Sequence, residues 1–109
     1  MASKFAQNRS MAPALVEHRR AARHPVQLTR EVRTADFGVQ EALLRDVSSY
    51  GCRFDAPGAF AIGERIWLRL ADNASTAATV VWTDGTHTGC RFDKPIERQL
   101  MRTLTLAIH

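Results

Sequence analysis

Residues 63–93 read GERIWLRLADNASTAATVVWTDGTHTGCRFD. Ile66, Leu68 and Leu70 alternate with Arg65, Trp67 and Arg69, the period-two pattern of a strand with one face buried and one wet. Asp72-Asn73-Ala74-Ser75 reads as a turn, and Thr76–Trp82 is rich in the threonine and valine that strands favour. Asp84-Gly85 is a hairpin signal. It leads into a further strand over Thr88–Asp93. Short strands this close together, joined by tight turns, predict an antiparallel all-β architecture.

The same signals continue upstream. From Val26, apolar Val26, Leu28 and Val32 alternate with Gln27, Thr29, Glu31 and Arg33, with Arg30 the one polar residue on the apolar side. Glu41–Val47 is a second run, closed by Ser48-Ser49-Tyr50-Gly51. A third strand, Cys52–Asp55, stops at Ala56-Pro57-Gly58. Downstream the period changes. Ile96, Leu100, Met101, Leu104 and Ile108 lie on one helical face, with Asp93 as a candidate cap and Pro95 suited to a first turn. Six strands and one amphipathic helix predict a small antiparallel barrel or sandwich, the helix covering an open side.

Length and charge bound the function. At 109 residues the chain is one domain. Residues 1–16 have no clear period and are read as a flexible tail, with the domain over 17–109. No stretch is long enough for a membrane span or a signal-peptide core, so a cytoplasmic address without membrane insertion is expected. Net charge is +4, yet residues 1–33 alone carry seven basic and two acidic side chains. The positive excess therefore sits in the N-terminal third, where a phosphate ligand or polyanion is the natural partner.

Neither the two cysteines nor the four histidines show metal-ligand spacing, so no metal or cofactor is expected. No nucleophile–base spacing is visible either, and the chain is read as a binding protein and not an enzyme. One internal echo stands out. Gly51-Cys52-Arg53-Phe54-Asp55-Ala56-Pro57 returns as Gly89-Cys90-Arg91-Phe92-Asp93-Lys94-Pro95. Seven residues are too few for a repeat architecture. Each Cys shares a strand face with its Phe, which predicts buried, structural thiols.

Two constellations carry recognition chemistry. Arg19-Arg20-Ala21-Ala22-Arg23 precedes the first strand. The planar arginine fork matches both phosphate oxygens and the O6/N7 edge of guanine. Asp46-Val47-Ser48-Ser49-Tyr50-Gly51 leaves the second strand. There a carboxylate can accept from guanine N1–H and N2–H₂, a hydroxyl can meet a phosphate, and a glycine permits close approach.

In this order the two pieces, Arg19-x-x-x-Arg23 and then Asp46-x-Ser48-x-x-Gly51, closely resemble the paired signature of PilZ domains. Gly51-x-x-Phe54, Val80-Val81-Trp82 and Gly89-x-x-Phe92 extend the likeness from about Glu17 to the C-terminus. The resemblance implies a six-stranded barrel of split-barrel type with a flexible N-terminal arm, which binds cyclic di-GMP and catalyses nothing. It implies that Arg19 and Arg23 meet phosphates and guanine edges, Asp46 a Watson–Crick edge, Ser48 a phosphate, and Gly51 the approach. Arg20 is either a further contact or solvent-facing. Trp82 and Arg91 are read as packing and surface positions.

The implied output is a changed arm and surface read by an effector protein in motility, exopolysaccharide or biofilm-type processes. A PilZ-like adaptor that binds only proteins is the alternative. Nucleic acid is the weaker rival, because Tyr50, Trp67 and Trp82 form no stacking stripe. The terminal helix leaves monomer and homodimer both open.

Overall fold

A computed structural model describes residues 22–36 and 38–106. The expected tail over 1–16, Arg19, Arg20 and Ile108 lie outside the described residues. The chain forms six strands and one helix: β1 His24–Thr34, β2 Gly38–Val47, β3 Gly51–Asp55, β4 Arg65–Ala71, β5 Ala74–Thr83, β6 His87–Phe92 and α1 Arg98–Leu106. All neighbouring strands are antiparallel, and they close into a barrel in the order β1-β2-β3-β6-β5-β4. Closure comes from β1 against β4, with Val32 opposite Leu68 and Thr34 opposite Ile66. The expected barrel is therefore observed, and the sandwich is not.

The barrel interior takes one side of each strand. Val32, Leu44, Phe54, Ile66, Leu68 and Val80 are almost completely buried there. Phe60, in the connection before β4, stands edge-on to Phe54 with ring centroids 5.3 Å apart. The helix packs against β1 and β4. It seats Leu104 fully in the core and Leu100 and Met101 partly against it.

Asp93 does not cap the helix. β-type pairing continues through its backbone N–H, which donates to Ala77 O at 2.9 Å. Its carboxylate is held by Arg65 and by the Thr79 hydroxyl. The helix consequently begins at Arg98. Gly63 lies before β4, in a positive-φ turn (φ 91°) whose N–H donates to Val80 O. The Asp84-Gly85 hairpin is present, Gly85 having a φ of 93°. The Asp84 carboxyl is drawn below its usual range, first by the His87 N–H and then by that of Thr86.

The repeated heptads are β3 and β6, and they pair with each other. Cys52 faces Cys90, Gly51 faces Arg91 and Arg53 faces Gly89, so the echo is arranged two-fold about the cysteine pair. The two Sγ atoms are 3.5 Å apart and buried. The hydrogen bond with Cys90, and then burial, push the Cys52 thiol well above its ordinary range. A protonated, covered thiol is a poor nucleophile. Alkylation of the folded protein at neutral pH is expected to run at least about tenfold slower than in denaturant. Equal rates, read by mass spectrometry, would contradict the buried pair.

Candidate functional site

An open cleft of about 270 Å³ lies where β2, β3, β5 and β6 meet, lined by Arg23, Asp46, Cys52, Arg53, Val81, Trp82, Gly89 and Cys90. Two irregularities in the sheet create it. Between β2 and β3 the register shifts across Leu44 and Asp46, leaving Arg45 as an extra residue. Strict alternation from buried Leu44 would turn Asp46 inward. The bulge instead buries Val47 and leaves Asp46 partly exposed.

The same device acts on β5. The register shifts between Val80 and Trp82, with Val81 extra. Val80 stays inside, and Trp82 emerges 38% exposed. Both bulges therefore re-aim a side chain into one cleft. Trp82 is opposite Gly89, and a Cβ on Gly89 would come within 2.0 Å of the indole nitrogen. The missing side chain is what lets the ring lie on β6.

Asp46 is the centre of the cleft's electrostatics. Pro25 is its register partner on β1 and Arg53 its partner on β3, so arginines approach from both sides. Arg23, just ahead of β1, donates from Nη1 to Oδ1 at 2.7 Å. Arg53 places Nε 3.1 Å from Oδ2. That second contact is an ion pair by distance but lacks hydrogen-bond alignment, and the buried Nε has no hydrogen-bond partner. Asp46 itself is 16% exposed and the two arginine side chains are each 41% exposed. An ion pair this exposed contributes about 0–1 kcal/mol, so Arg23 is readily released to a competing anion.

The other two signature residues sit differently. Ser48 is fully buried. Its hydroxyl accepts from Tyr50 N–H and donates to Gly51 O, and its own N–H also donates to Gly51 O. The turn is tied to the chain leaving β6, since Phe92 N–H donates to Tyr50 O and Ile96 N–H to Ser49 O. Gly51 is buried as well. A Cβ there would stand 2.2 Å from the Cys90 carbonyl oxygen. Its missing side chain makes room for β6.

Of the sequence-chosen residues, the structure brings Arg23 and Asp46 together in the cleft and sets Ser48 and Gly51 in the turn behind it. It adds Arg53 and Trp82. Arg53 sits inside the echoed heptad, and Trp82, expected at a packing or surface position, enters the cleft. A tryptophan beside a glycine-opposed strand was the available signal, but only the bulge turns it outward. Among the described residues no group of acids, histidines and cysteines is arranged to hold a metal. No helix among them is long and apolar enough to cross a membrane.

Comparison with known proteins agrees with this fold. Among solved structures, the chain is similar to the PilZ domain with c-di-GMP of YcgR from Escherichia coli. The TM-score is 0.54 at 19% identity, covering 82% of this chain and 87% of that one. At that identity the likeness is one of fold. A search of curated proteins finds no match. The PilZ domain family model, however, matches residues 17–108. That span holds the whole barrel, the helix and both halves of the arginine and Asp-x-Ser-x-x-Gly signature, and the chain belongs to the PilZ domain family.

Proposed function

We propose that this chain is a receptor for cyclic di-GMP that passes the signal to a partner protein through its N-terminal arm. The observation that carries the reading is Asp46, set by a bulge in the cleft between two arginines and beside an exposed indole. A carboxylate accepts from guanine N1–H and N2–H₂, arginine forks take phosphate, and an indole face stacks a base. The PilZ domain of YcgR, whose structure is described with c-di-GMP, shares the fold.

At about 270 Å³ the cleft falls just below the usual range of ligand pockets, roughly 300–1,000 Å³. It suits one base better than a whole cyclic dinucleotide. The rest of the ligand falls to the segment carrying Arg19, Arg20 and Arg23, with Arg23 leaving Asp46 for a phosphate. Exchange of the Arg23–Asp46 pair for Arg23–phosphate and Asp46–guanine contacts is the local switch. Ser48 and Gly51 serve the ligand by holding the turn behind Asp46. Binding and release suffice for this role, without catalysis or a cofactor.

Titration calorimetry at physiological salt tests the reading. Saturable binding of cyclic di-GMP is expected, weakened about 10-fold or more in Arg23→Ala through loss of one charge-assisted contact of about 1.5–3 kcal/mol. A folded protein that gives no heat up to about 100 μM ligand, weaker than about −5.5 kcal/mol, would leave the protein-only adaptor. Sequence-independent binding to single-stranded DNA that collapses with salt would favour nucleic acid instead.

A further inference from the structure

We infer that Arg53 is a specificity-determining residue of this site, reading the O6/N7 edge of the same guanine whose N1–H and N2–H₂ Asp46 accepts. The inference rests on the cyclic di-GMP reading above and deepens it. Arg53 lies outside the two signature stretches and has no role assigned by them.

Three observations place it. The register sets Arg53 directly beside Asp46, with its Nε next to Oδ2 at 3.1 Å. On the other side Arg53 faces Gly89, over which the Trp82 indole lies. The guanidinium therefore borders the cleft between the carboxylate and the ring. Third, Nε is buried without a hydrogen-bond partner while the side chain as a whole is 41% exposed. Its accessible surface thus belongs to the rest of the group, which carries the fork.

Guanine geometry completes the argument. On the purine, O6 adjoins N1, and N7 lies beyond it on the same side. A guanine that gives N1–H and N2–H₂ to the two Asp46 oxygens, with N1 toward Oδ2, presents O6 and then N7 toward Arg53. The arginine fork accepts that edge bidentately. Adenine carries an amino donor at the O6 position and an acceptor at N1. It would oppose donor to donor at Arg53 and acceptor to acceptor at Asp46. The pair together contacts guanine at four atoms, N1, N2, O6 and N7. Arg23 meets Asp46 from the segment ahead of β1, and Arg53 meets it from within β3.

A ligand-atom cycle tests this with the 109-residue chain. Cyclic di-GMP and its 7-deaza analogue, which replaces N7 by C–H, are titrated against wild type, Arg53→Met and Arg53→Lys. Wild type is expected to bind the deaza analogue about tenfold more weakly, the loss of one charge-assisted hydrogen bond. In Arg53→Met, cyclic di-GMP binding falls at least about 100-fold, both fork contacts being lost, and the deaza penalty shrinks at least about fivefold, since the partner of N7 is gone. Arg53→Lys keeps the charge and loses the fork, and retains less than half of the penalty on the logarithmic scale.

A deaza penalty of the same size in wild type and Arg53→Met overturns the inference while leaving cyclic di-GMP binding intact. So does a wild type that does not distinguish the two ligands. A wild type that binds neither ligand overturns the underlying reading as well. Melting curves for the variants separate these results from unfolding, and Arg53→Lys carries the test should Arg53→Met fail to fold.

Discussion

Alanine in place of Asp46 is expected to weaken cyclic di-GMP binding at least about 100-fold by titration calorimetry, while the protein stays folded. Two charge-assisted hydrogen bonds to guanine are removed, worth about 1.5–3 kcal/mol each. An opposing effect exists. Without the carboxylate, Arg23 and Arg53 lose their common partner, and the cleft gains positive charge that attracts phosphate. Attraction at exposed positions is screened within about 8 Å at physiological salt, so it offsets only a small part of the loss.

The amide variant sharpens the point. Asp46→Asn keeps the shape and one acceptor but turns an NH₂ group toward guanine donors. It is expected to bind no better than alanine. Tight binding by Asp46→Asn would mean that the carboxylate faces no pair of donors, and would remove guanine's Watson–Crick edge from Asp46. The stability cost is small for both, about 1 kcal/mol or less, because the ion pairs are partly solvated.

The barrel was legible because burial in a single-layer sheet has period two. Ile66, Leu68 and Leu70 on β4, and Val26, Leu28 and Val32 on β1, are inside as the alternation requires. The helical face of Leu100, Met101 and Leu104 was legible for the same reason at period 3.6, while Ile96, expected on that face, is buried ahead of the helix. What the pattern does not carry is the place where it breaks. The bulges at Arg45 and Val81 depend on which residue of a neighbouring strand each one faces. Pairing partners are far apart in sequence, so no local window contains that information. Those two bulges decide that Asp46 and Trp82 share a cleft.

Asp93 shows the same limit from the other side. As a sequence it is a good helix cap, yet Thr79, brought alongside by the β5–β6 pairing, and Arg65, opposite Thr79 in the β4–β5 pairing, take its carboxylate first. Arg53 is the most consequential case. Within its own heptad it looks like a solvated strand residue. Only the register that sets Asp46 on one side and Gly89 on the other gives it a site.

Gly51 yields the second large expectation, and it concerns folding. Gly51→Ala is expected to destabilise the protein by about 3 kcal/mol or more, the upper range for overpacking, because the added methyl meets a backbone carbonyl 2.2 Å away and not a movable side chain. For a domain of this size that lowers the melting temperature by about 10 °C or more. The strain falls where Cys52 pairs with Cys90 and where the Ser48 turn is tied to Tyr50 and Phe92, so the alkylation of both thiols should accelerate with it. Gly89→Ala is the control from the matching position of the echo. Its methyl meets the Trp82 ring, which is partly exposed and can swing away. That variant should keep most of its stability and lose affinity for the ligand, since the indole no longer flanks the cleft. The two glycines stand at equivalent places in near-identical heptads, yet one makes room for backbone and the other for a side chain. If Gly51→Ala melts with wild type and loses only ligand binding, the room at Gly51 belongs to the ligand, and the packing account of the signature glycine is wrong.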